Sequence, residues 1–166
     1  MIGGEAPGDG FMHVKCLSLL WACCLGILFI GADTLVGQVV PPDDEGFMIA
    51  SPSDMVPPEG GRSVLVYGNP SEPGFYVQRI TFGPGQGSRP HFHNQARLIT
   101  VIKGTWYTSY GPGSEVYDPD NMTPVEEGTF IYQPPNGHHY DMAKDEEVTV
   151  QIMGIGPVVT TSLESR

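Results

Sequence analysis

No window of about twelve residues in this chain carries apolar residues at the 3.6-residue helical period without a Gly or Pro inside it. Inside a helix Gly costs about 1 kcal/mol and Pro about 3 kcal/mol relative to Ala. Helices are therefore excluded as the main element. The punctuation leaves short Val/Ile/Tyr/Phe-rich runs: Ser63–Tyr67, Phe75–Phe82, Arg97–Lys103 continuing through Thr105–Tyr110, Thr129–Gln133, His139–Met142, Val148–Ile155 and a last one around Val158–Thr161. Short strands at such spacing, separated by Gly/Pro turns, predict an all-β sandwich or barrel. The tripeptide Lys103-Gly104-Thr105 predicts a turn that makes 97–110 one long hairpin. A chain with 22 Gly and 16 Pro also has a disorder-like composition, but 40% hydrophobic residues in regular runs argue for a folded core. With 166 residues there is room for one domain and a leader.

The N-terminus reads differently. Lys15 gives a small positive region, Cys16 to Ile30 is an uncharged apolar run, and Gly31-Ala32 supplies small residues suited to signal peptidase ahead of Asp33. Met12 is a candidate initiator, because Glu5 and Asp9 are unusual before such a run. The run is short of the ~20 residues that span a bilayer, so residues 1–32 are expected to be a cleaved leader rather than a stable membrane anchor. The expected location is secreted or periplasmic. All three cysteines, Cys16, Cys23 and Cys24, lie in this segment, so the mature chain is expected to have neither disulfides nor thiolate ligands. Residues 33–61, with Pro41, Pro42, Pro52, Pro57 and Pro58, read as an extended arm in which Phe47–Ala50 supplies one short strand. Residues 62–166 remain for the domain. A net charge of −11 without any basic run disfavours nucleic acid and anionic membrane surfaces.

Four of the five histidines fall in two Gly/Pro-framed clusters, His91 with His93 and His138 with His139. Side chains two apart on a strand project to the same face, so His91 and His93 point together and Phe92 points away. Imidazole is the commonest protein ligand for transition metals, yet a single His-x-His is weak evidence for a site. Here the string Gly85-x5-His91-x-His93-x3-Arg97-x6-Gly104 resembles the first motif of the cupin superfamily. Gly128-x5-Pro134-x-Asn136-x2-His139 resembles the second, with Asn136 where Gly is usual and Ala143 where Asn is usual. The stretches Tyr67–Arg79, Arg97–Trp106 and Met153–Pro157 further resemble small exported bacterial single-domain cupins, so that the similarity runs from roughly Val56 to Thr160.

The resemblance implies a double-sheet, jelly-roll-like barrel of six or more strands with one divalent metal (Fe, Mn, Ni or Zn) in its mouth. His91, His93 and His139 occupy three ligand positions of the family, and His138, one residue off, is expected to turn away. Arg97 occupies the slot of the usual Glu and cannot ligate, since a guanidinium only donates. A three-His cation beside an arginine favours a small anionic ligand. Arg97 is expected either in the pocket, binding that ligand, or turned to Glu126 or Glu127. Gln95, Asp141 and Gln151 are alternative oxygen donors. Phe92, Trp106, Tyr132 and Tyr140 are expected mainly in the barrel core. Two kinds of function follow: a metal-dependent oxygenase, decarboxylase or isomerase, or a metal- and ligand-binding or sensing module without turnover. Such a cupin is also a candidate homodimer.

Overall fold

Alternation of side chains is what builds this molecule. In the strand Val148–Gly156 the residues Val148, Val150 and Ile152 are 0%, 1% and 6% exposed, while Thr149, Gln151 and Met153 between them are only partly covered. The computed structural model describes residues 39–163, all within one compact unit spanning Thr34–Arg166. The expected leader, 1–32, lies outside the described residues. Those residues form strands β1 (Ser63–Tyr67), β2 (Gly74–Phe82), β3 (His91–His93), β4 (Arg97–Lys103), β5 (Trp106–Tyr110), β6 (Thr123–Val125), β7 (Phe130–Gln133), β8 (His139–Ala143), β9 (Val148–Gly156) and β10 (Thr160–Ser162), with two single turns of 3-10 helix. One sheet has the order β1-β2-β9-β4-β7 and the other β10-β3-β8-β5-β6. Every strand pairing is antiparallel.

Between the sheets one end is apolar. The Phe82 and Trp106 rings lie 4.5 Å apart, packed with Val101, Ala143, Val148 and Val150. Full burial of each large apolar side chain contributes about 1.5–3 kcal/mol. The other end carries the inward polar residues His91, His93 and His139 of the second sheet, facing Arg97 and Gln133 of the first. The histidines thus sit at one end of the barrel interior and the aromatic and branched side chains at the other.

Two expectations are corrected. Residues 97–110 are not one hairpin, because β4 and β5 lie in different sheets. Lys103-Gly104-Thr105 is instead the corner where the chain crosses between them. Gly104 takes φ +77, and a Cβ there would stand 2.6 Å from the Glu147 carbonyl oxygen, so only Gly fits. Phe47–Ala50 forms no strand; Phe47 and Ile49 are 70% and 87% exposed, and the Phe47 backbone is taken up by a local turn, accepting from Asp43 N–H and donating to Asp43 Oδ1, each at 2.8 Å. The regular turn in the arm is Pro52–Met55, capped by Ser51 and Asp54. The strand β6, by contrast, was not expected, since Pro124 sits inside it. It lies at a sheet edge, where a missing N–H is tolerated.

Candidate metal centre

His91 and His139 face each other in register across β3 and β8, and His93 follows two residues on from His91. The loop before β3 is tied to β8: the Ser88 N–H donates to the Asp141 carbonyl at 2.7 Å, Gly85 N–H to Ala143 O at 2.8 Å, and Ala143 N–H to Gln86 O at 2.8 Å. This close approach needs Gly87, where a Cβ would stand 2.2 Å from the Asp141 carbonyl oxygen. The second motif closes on the same place. Asn136, in the position usually held by Gly, adopts φ +59, a conformation Asn tolerates better than most residues, and its N–H donates to the His93 carbonyl at 2.7 Å.

The ligating atoms of His91, His93 and His139 lie within 4.8 Å of one another. The Nε2 atoms of His91 and His93 are 3.1 Å apart. Metal–nitrogen bonds of about 2.0–2.2 Å at tetrahedral or octahedral angles require donor separations of about 3.0–3.5 Å, so that pair already has the spacing and His139 needs a small inward shift. The second nitrogens are accounted for. His91 Nδ1 lies 2.6 Å from the Arg89 carbonyl and His139 Nδ1 2.8 Å from that of Gly137. A carbonyl only accepts, so both Nδ1 atoms carry the proton and both Nε2 lone pairs are left for the centre. The Thr160 hydroxyl partners His93 Nδ1 at 3.0 Å. Burial first, then the neighbouring Arg97 charge and the other imidazoles, depress His93 to about 2. Burial likewise depresses His139 to about 3, against the pull of its Gly137 bond. Both rings are neutral at physiological pH, the form that binds metal. The donor set therefore fits a divalent ion.

His138 does turn away. Its Nδ1 contacts Glu115 Oε1 at 2.7 Å on the surface, and its ring packs on Phe92. Arg97 turns inward and not to Glu126 or Glu127. Its Nε and Nη2 donate to Gln133 Oε1 at 2.9 and 2.6 Å, and Nη2 stands 3.2 Å from His139 Nε2. The register explains this. Tyr76, Gly154, Arg97 and Gln133 form one inward row across four strands, and the Tyr76 ring occupies the place a Cβ on Gly154 would need. Burial lowers the Arg97 pKa, with Asp141, Tyr76 and Tyr110 acting in the other direction, but a guanidinium remains charged.

A cavity of about 240 Å³ opens beside His91 and His93, walled by Ile80, Phe82, Ile99, Trp106, Val150 and Ile152. Of the three alternative oxygen donors, Asp141 lines it, Gln151 is bonded to Arg79, and Gln95 does not reach it. The Asp141 carboxyl accepts from Ser88 Oγ at 2.8 Å; burial pushes its pKa up, while Ser88 and Arg97 oppose this. Gln133 and Tyr110 are the residues that sequence reasoning missed. Gln133 Nε2 lies 3.5 Å from the Tyr110 hydroxyl, which burial pushes up to about 12. The available signal was register, since Tyr110 lies opposite His139. Trp106 and Tyr140 are buried as expected, but Tyr132 points outward, 57% exposed, because odd and even positions of β7 face opposite sides.

With fold and site described, comparison with solved structures defines the fold: the chain is a double-stranded β-helix. This rests on an uncharacterized conserved protein with a double-stranded β-helix domain from Klebsiella pneumoniae subsp. pneumoniae MGH 78578, at TM-score 0.53 and 22% identity, covering 72% of this chain and 99% of that one. A cupin-2 domain from Rhodospirillum rubrum matches at TM-score 0.46 and 17% identity over 57% of this chain and 58% of that one. A cupin 2 conserved barrel domain protein from Rhodopseudomonas palustris matches at 0.45 and 15% over 57% and 59%. The chain thus spans about three fifths of the length of these last two. No family profile and no curated protein matches the sequence.

Proposed function

We propose that His91, His93 and His139 hold one divalent metal ion and that Arg97 beside it binds a small anionic organic molecule in the barrel. One observation carries the reading. Two backbone carbonyls, of Arg89 and Gly137, fix the tautomers of His91 and His139 so that their Nε2 lone pairs are aimed at the space shared with His93. When bound there, an Fe, Mn, Ni or Zn ion supplies Lewis-acid polarisation, or O₂ chemistry if it is redox-active.

Arg97 is placed to change partners. With the His139 lone pair given to a metal, the guanidinium contact at 3.2 Å would be released and one N–H of Nη2 would be left to donate to an anion, while the bonds of Nε and Nη2 to Gln133 keep the side chain in the cavity. Asp141, raised by burial, can hold a proton at its carboxyl in the same cavity. This favours metal-dependent chemistry of the oxygenase, decarboxylase or isomerase kind over storage of the ion alone.

The test is metal analysis of protein purified anaerobically, with the His139→Ala and His138→Ala variants alongside, followed by oxygen-uptake and product screens on small carboxylates. About one metal per wild-type chain is expected, with most of it lost in His139→Ala and none in His138→Ala. Equal metal content in all three proteins overturns the centre. Full metal content with no turnover of any carboxylate leaves a binding module instead.

A further inference from the structure

We propose that Arg62 is a second anion anchor at the mouth of the cavity, so that the barrel takes an organic dianion whose two anionic groups are joined by a hydrocarbon spacer. The inference rests on the reading of the three histidines and Arg97 as the first anion site, and it adds the other end of the molecule.

Arg62 immediately precedes β1, and its backbone is fixed where Thr81 N–H donates to its carbonyl at 2.8 Å. Its guanidinium carbon lies 5.0 Å from the centroid of the Phe82 ring, a contact that orients the charge without neutralising it. The side chain lines both the inner cavity and an outer groove bordered by Pro57, Gly61, Gln86 and Glu147, which places it where the two meet. Among the described residues no carboxylate is within ion-pair distance of it. Glu147, across the groove, is paired with Lys103 at 2.9 Å, and the Asp141 carboxyl, which feels the Arg62 charge across the cavity, takes its hydrogen bond from Ser88.

The spacing along the barrel separates the two arginines. Arg97 shares an inward row with Tyr76, whereas Arg62 stacks on Phe82, six residues further along β2. At about 3.3 Å per residue this is roughly 20 Å of strand, and both side chains line the same cavity of about 240 Å³, which limits what joins them to a small molecule. The wall between them is Ile80, Ile99, Val150 and Ile152, which offers a ligand no hydrogen bond. Cationic ends with an apolar middle match an aliphatic or aromatic dicarboxylate better than a sugar or a monoacid.

The experiment is calorimetric titration of the zinc-loaded full chain with acid pairs of equal carbon number: valerate and glutarate, hexanoate and adipate, heptanoate and pimelate. At the best-fitting length the diacid should bind about ten-fold or more tighter than its monoacid, the scale of one charge-assisted hydrogen bond. Arg62→Gln should remove that advantage while leaving monoacid affinity unchanged, and Arg62→Lys should restore part of it. Equal affinities at every length, or an Arg62→Gln variant that weakens both acids alike, overturns the second anchor and leaves the first intact. If neither acid of any pair binds zinc-loaded protein, the anion site at Arg97 fails, and the anchor at Arg62 with it.

Discussion

Replacing Arg97 by Glu puts a carboxylate where a guanidinium now stands 3.2 Å from His139 Nε2. The change removes a competitor for that lone pair and adds a fourth candidate ligand. Arg97→Glu should therefore bind zinc at least ten-fold more tightly and small carboxylates at least ten-fold more weakly, both read by calorimetry; unchanged affinities would make Arg97 structural. This residue also marks how far the sequence could be read. That His91 and His93 share a face follows from strand geometry, and the resemblance to the second cupin motif singled out His139 over His138. The orientation of Arg97 was open, because it depends on Gln133, a partner 36 positions away on β7. Nothing local to Arg97 distinguishes that amide from the acidic pair Glu126 and Glu127. The role of Ser88 in holding Asp141 was hidden in the same way, across 53 positions.

Elements were legible wherever alternation was long enough to show. β1 and β4 fall where the apolar runs placed them, and β2, β7, β8 and β9 differ by one residue at an end. Connectivity was harder. Lys103-Gly104-Thr105 has the composition of a hairpin turn, but β4 and β5 each find better neighbours: β4 lies between β9 and β7, and β5 between β8 and β6. Partner choice is a property of the whole sheet, and a tripeptide does not carry it. The corner makes its own prediction. Gly104→Ala must adopt a positive φ and approach the Glu147 carbonyl, so it should lower unfolding stability by about 1–2 kcal/mol or more in urea titration. Metal affinity of the folded fraction should be unchanged, because the corner is not at the His end. A Gly104→Ala protein as stable as wild type would show that the corner relaxes easily.

At the scale of the whole molecule, the proposal that the domain works outside the cytoplasm rests on the uncharged run behind Lys15. N-terminal sequencing of the mature product should begin near Asp33; retention of Met1 or Met12 would contradict export by cleavage. The described residues hold no cysteine, so the site is held by other means, and the stitching of the 85–88 loop to β8 does so. Because Gly85, Gln86 and Ser88 are bonded to that strand through their backbones, the strands that carry His91 and His139 hold their register with the site empty, and only the His139 side chain has to shift inward to meet an ion. Loading and emptying the site then need no refolding. Chelator-treated protein should retain its β circular dichroism spectrum and a cooperative melt, with metal raising the melting temperature only by mass action on the native state. If removal of the ion unfolds the domain, as it does in small zinc modules, that rigidity is absent. A scaffold that holds its ligands ready is free to exchange one ion for another, so the metal it carries would be set by the supply in its surroundings as much as by the protein.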